Sequence, residues 1–181
     1  PVPIFDEEFG TLTERAVPIA AATIGVIVLM LCLAFRSWQL VVGVLATVLT
    51  GLLITTALGL VMVEAFNIIS VAFVALFVGL GVDFGIQFGV RYRAERHQGL
   101  TLERAIVSAA HGIGPSLTLA AFALTAGFLG FLPTSYRGVA ELGLIAGSGM
   151  MLTFLLTLTL LPALIKVLAP AQEAAEAWLR G

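Results

Sequence analysis

Apolar positions fall in long unbroken blocks, separated by short polar clusters. A membrane-crossing helix needs about 20 largely apolar residues, and five stretches qualify. Residues 16–35 and 40–63 carry no charge. Residues 65–90 carry one, Asp83. Residues 112–132 carry none, and 138–161 carry Glu141 near their start. A β-barrel would instead show alternating segments of about 10 residues. The pattern therefore predicts an all-α fold, a polytopic membrane helical bundle of five transmembrane helices. Residues 16–168 form the transmembrane domain, and 1–15 and 169–181 are flanking tails.

The connections are short. Arg36-Ser37-Trp38-Gln39 reads as a tight turn, with Trp38 as an interfacial anchor. Between 101 and 111, Leu102, Ala105, Ile106 and Ala109 share one helical face, and Arg104, Ser108 and His111 share another. That spacing predicts a separate interfacial helix, with Thr101 at its N-cap. Pro133 to Gly138 reads as a turn, Pro162 as the end of the fifth span, and 171–180 as a second interfacial helix.

Composition sharpens this picture. Hydrophobic residues make up 60% of the 181, charged residues only 11%, and mean hydropathy is +1.09. A soluble domain of this size needs more charge to cover its surface, so a soluble enzyme and a disordered regulator are excluded. The net charge of -2 leaves no basic surplus for nucleic acid. Cys32 has no partner for a disulfide, and His97 and His111 are not spaced with it as a metal site; no metal or other cofactor is expected. Charge does set an orientation. Arg36, Arg91, Arg93, Arg96, Arg104, Lys166 and Arg180 fall on one side of the spans, and only Arg15 and Arg137 on the other. The richer side is expected to be cytoplasmic, with the N-terminus outside, where Asp6, Glu7, Glu8 and Glu14 lie. The opening Pro-Val-Pro-Ile lacks an initiator Met and a basic leader, and reads as a piece of a longer protein.

Asp83 is the candidate for chemistry. A carboxylate at mid-bilayer costs on the order of 2.5–3.5 kcal/mol on insertion scales. Low dielectric favours the neutral acid, which is the physical basis for a proton-coupling role. Gly79 and Gln87 stand one turn to either side, making a narrow polar stripe. Gly81, Gly85 and Gly89 add two overlapping G-x-x-x-G patterns, which favour close helix approach. Asp83 is thus expected at a helix–helix seam. Thr118 and Thr125 share a face of the fourth span, and Ser148, Thr153 and Thr157 lie on the fifth. Such hydroxyls usually bond back to their own helix, with a relay role as the alternative. Glu141 is expected to be solvated or paired with Arg137. No phosphate-binding loop, nucleophile elbow or H-E-x-x-H motif is present.

The run Gly79-Leu80-Gly81-Val82-Asp83-Phe84-Gly85-Ile86-Gln87-Phe88, followed by Arg91-Tyr92-Arg93, resembles the fourth transmembrane helix of the resistance–nodulation–division (RND) superfamily, in its MMPL-like lipid-exporter branch. Arg137 to Gly147 is similar to the outer loop leading into that family's sixth helix. Five spans with one Asp in the middle span match helices two to six of one half, a unit shared with sterol-sensing domains. The resemblance implies twelve spans in two similar halves, with 1–15 as the tail of a periplasmic domain. It implies Asp83 as the residue coupling protons to export across the bacterial inner membrane, with the other half of the same transporter as partner. Within the superfamily, the transporters associated with hopanoid biosynthesis are the most similar branch, which implies a hopanoid-like lipid cargo. The resemblance admits a homo-oligomer. Many MMPL-like members carry Tyr after this Asp; here it is Phe84, so the likeness does not extend to a Tyr-mediated pairing between halves.

Two readings from other classes stand beside the exporter. One is a lipid-binding membrane module like a sterol-sensing domain, which needs no intramembrane acid. The other is a protein-export auxiliary built on the same membrane fold. An intramembrane enzyme is a distant fourth, because acid–base chemistry usually needs a second ionisable group.

Overall fold

The computed structural model describes residues 18, 22–35, 37–63 and 73–168. Among them are five helices and no strand: α1 (Ala22–Phe35), α2 (Trp38–Val63), α3 (Phe73–His97), α4 (Leu102–Leu129) and α5 (Arg137–Leu168). Helices α2 to α5 are each long and apolar enough to cross a membrane, and the chain is a multi-pass membrane protein. The expectations for 1–15 and for 169–181 lie outside the described residues.

Helix α5 is the hub, packing against α2, α3 and α4, while α3 also touches α2 and α4. Small residues set these approaches. The Phe77 ring of α3 lies over Gly51 of α2 and Gly149 of α5, where any added Cβ would meet it at 3.0 and 3.1 Å. On the α4–α5 seam, Gly143 lies directly on the Phe128 carbonyl, and Gly147 faces Leu129. Without a Cβ at these points, backbones come close enough for dispersion and hydrogen bonds to hold helices that share an apolar solvent. Leu31, Phe35, Val44, Phe77, Phe88 and Ile145 lie in the resulting core. A second cluster gathers Phe84, Leu117, Ala121, Met150 and Phe154 between α3, α4 and α5.

Two elements differ from the sequence pattern. The segment 101–111 is not a separate interfacial helix: it is continuous with the fourth span as α4, 28 residues long. Ala105 and Ala109, on its apolar face, are fully buried, so that face packs inside the bundle. The fifth helix does not stop at Pro162 but runs on to Leu168. Membrane helices tolerate internal proline because neighbouring helices and side chains re-satisfy the freed backbone groups, and here Leu161 and Ile165 remain buried on either side. Thr101 does occupy the N-cap of α4, although its hydroxyl makes no capping bond.

The two ends differ in charge. At one, Lys166 of α5 pairs with Glu103 of α4 at 2.7 Å, and Arg93 of α3 donates to the Phe35 carbonyl that ends α1. At the other, Arg137 pairs with Glu141 at 2.7 Å.

Candidate functional site

The site is built on α3, whose two sides have different roles. Gly81, Gly85 and Gly89 face inward. An added Cβ would meet Val48 and Thr153 at Gly81, Val44 at Gly85 and Phe35 at Gly89, all within 3.4 Å. The glycine pattern therefore seats α3 against α1, α2 and α5. Asp83 and Gly79 lie on the other side, where both are exposed and no described atom lies within 4 Å of a Cβ placed at Gly79. Leu76 and Val90 are exposed at helical spacing along the same side. The seam expected around Asp83 is thus not closed by any described helix of this chain. The glycines make one interface, and the polar stripe is left open beside it.

Gln87 donates from Nε2 to Asp83 Oδ2 at 3.2 Å, as the i, i+4 spacing allows. This bond holds the carboxylate along the helix axis. Phe84, at the position after the Asp, is 2% exposed and sits in the second core cluster, against α4 and α5. Its ring points into this chain's own core, away from the open side.

The hydroxyl candidates do not converge on Asp83. Thr118 donates to the Gly114 carbonyl at 2.7 Å and Ser148 to the Ile145 carbonyl at 3.0 Å, each within its own helix. Thr153 likewise donates to Gly149. Thr125 instead reaches across the α4–α5 seam to the Gly147 carbonyl at 3.3 Å. These bonds satisfy hydroxyls locally and fasten helices together.

Sequence reasoning passed over a second pair on α3. Arg91 Nη2 lies 2.8 Å from Glu95 Oε1, and the Glu95 side chain is only 6% exposed. The Arg91 guanidinium lies over Gly112 of α4, where an added Cβ would meet it at 3.1 Å. The signal was available: 83, 87, 91 and 95 are spaced by four throughout.

Comparison with known proteins places the chain. A family model described as "MMPL family" matches residues 3–180. A curated protein described as "Hopanoid transporter HpnN", from Rhodopseudomonas palustris (strain TIE-1), is 53% identical over 173 residues, covering 96% of this chain and 20% of that protein. A protein of the same description from Burkholderia multivorans (strain ATCC 17616 / 249) is 50% identical over 172 residues, covering 95% of this chain and 20% of that protein. The chain spans about a fifth of the length of the curated relatives it matches.

Proposed function

The chain belongs to the MMPL family, and from that premise we propose that it forms part of the membrane domain of an exporter. This exporter uses the proton gradient to move a hopanoid-like lipid from the inner membrane toward the outer membrane. The cargo class rests on the two relatives described as hopanoid transporters. Asp83 is the proton-coupling residue, with Gln87 positioning its carboxylate. The observation that carries this reading is the placement of an intramembrane carboxylate on a side of α3 that the described helices leave uncovered. The other half of the transporter closes that side, and Gly79, with open space around it, lets a facing helix come near. The basic end, bearing Arg91, Arg93, Arg104 and Lys166, is cytoplasmic, and the Arg137 end is periplasmic.

The test is Asp83→Asn in the full-length protein in its native host. Asn keeps the size and can still accept from Gln87, but it cannot carry a proton. The expected outcome is hopanoid retained in the inner membrane at normal protein level. Normal distribution of the lipid would remove Asp83 from coupling and favour a lipid-sensing module.

A further inference from the structure

The polar face that carries Arg104, Ser108 and His111 has no part in proton coupling, and the described helices leave it open. With 101–111 continuous with α4, this face becomes the outward stripe of a membrane helix. Arg104 and His111 are exposed, and Ser108 is half-buried between them. Ser108 follows Arg104 by four residues, and His111 and Gly112 stand one turn beyond it, so these positions adjoin on the helix surface. From α3, the half-exposed Arg91 guanidinium lies over Gly112, where an added Cβ would meet it at 3.1 Å. Two guanidinium groups and a hydroxyl thus border one outward patch.

The bonding of this patch is incomplete. Arg104 and the Ser108 hydroxyl have no hydrogen-bond or ionic partner among the described residues. His111 Nδ1 lies 3.0 Å from the Val107 carbonyl; that bond takes the proton on Nδ1 and leaves Nε2 free to accept. Charge is unbalanced as well. At this end the described residues hold Arg91, Arg93, Arg96, Arg104 and Lys166 against Glu95 and Glu103, an excess of three positive charges. Glu95 is tied to Arg91 and Glu103 to Lys166, so neither neutralises Arg104. Toward mid-membrane the same stripe turns apolar, through Pro115, Leu119 and Phe122 at helical spacing, with Leu119 74% exposed. Cationic donors at the rim beside an apolar track fit a lipid with an anionic phosphate and chains that run along the helix. We propose that this patch binds an anionic glycerophospholipid of the surrounding membrane, distinct from the transported lipid. Arg104 and Arg91 hold the phosphate, Ser108 donates to it, and His111 Nε2 accepts from a headgroup hydroxyl. Phosphatidylethanolamine would bring its own ammonium among these cations and is disfavoured. The site requires only that α4 crosses the bilayer, so it stands whether or not Asp83 couples protons.

The experiment uses the full-length transporter in vesicles of phosphatidylglycerol and phosphatidylethanolamine in equal amounts. A photoactivatable benzoylphenylalanine replaces Leu119, on the apolar track and clear of the polar patch. After irradiation, mass spectrometry identifies what the probe has captured. The expected result is capture of phosphatidylglycerol over phosphatidylethanolamine by about fivefold or more, since one Arg near an anionic headgroup contributes about that factor. Arg104→Gln removes one such factor, and Arg104→Gln with Ser108→Ala brings the ratio close to even. High salt, which screens exposed charge, lowers the preference with no substitution at the patch, and so decides the matter if a variant fails to fold. Equal capture of the two lipids would overturn the proposal, as would a preference that survives both Arg104→Gln and high salt. Capture of a protein segment in place of lipid would mean that another part of the transporter covers this face, and would also overturn it. The same probe at Leu53, 71% exposed on α2, reads the background. An equal preference there would reduce the effect to the general charge of the surface and remove the site.

Discussion

Gly85→Ala tests how closely α3 lies against α2. The added Cβ would stand 2.6 Å from Val44 Cγ1, 3.0 Å from Cγ2 and 3.3 Å from Cβ. Comfortable carbon–carbon contact begins near 3.5 Å, so roughly 1 Å must be found. Val44 cannot swing aside. It is fully buried, and a β-branched residue in a helix has one strongly preferred rotamer. The helices themselves must part, and overpacking of this kind costs about 1–3 kcal/mol. Replacing a mid-helix glycine by alanine returns up to ~1 kcal/mol of backbone entropy and propensity. The net expectation is a loss of about 1–2 kcal/mol. Gly127→Ala on α4 is the control: the residue type and helical setting are the same, but no described atom lies within 4 Å of the new Cβ. That variant should gain up to ~1 kcal/mol. The two identical substitutions then differ by about 2–3 kcal/mol, or roughly 30–150-fold in folding equilibrium. Pulse proteolysis of the chain in detergent micelles, across an SDS titration, measures the difference. Equal stability of the two variants would refute the close approach of α2 and α3, and with it the division of α3 into a packed side and an open side.

Thr55→Val replaces a hydroxyl that is 1% exposed and has no hydrogen-bond partner among the described residues. The shape is kept and an unpaired polar atom is lost, so stability should hold or rise by about 1 kcal/mol in the same assay; a loss of that size would mean the hydroxyl has a partner. Arg93→Ala removes the guanidinium that donates to the Phe35 carbonyl at the C-terminus of α1. An unfilled cap and the lost dipole interaction should cost about 0.5–1.5 kcal/mol, seen as faster amide exchange over 30–35 than over α5. Unchanged exchange there would show that α1 does not depend on this contact.

Much of the architecture was legible because it is a local matter. In a bilayer every backbone polar group must be satisfied within its own segment, so a long apolar run has one main solution. That reasoning yields the all-α class, α2 almost to the residue, and the two charged ends. Asp83 stands out for the same reason, since a lone carboxylate among apolar residues costs free energy wherever its helix turns. The Arg137–Glu141 pair follows from i, i+4 spacing alone.

Which side of each helix meets a neighbour is another matter. Lipid tails and helix interiors are equally apolar, so hydropathy barely distinguishes a buried side from a lipid-facing one. Gly79, Gly81 and Gly85 look alike in the chain, yet only Gly81 and Gly85 are packed, against Val48 and Val44 respectively. The continuity of α4 through Pro115, and of α5 through Pro162, is likewise not fixed by the local sequence, since an internal proline ends a helix in some surroundings and is carried through in others. The inward turn of Phe84 and the burial of Glu95 arise in the same way, from the rotation of α3 about its axis. A single helix has no preference for that rotation. It is set by the grooves of the helices around it, and so only the tertiary structure decides it.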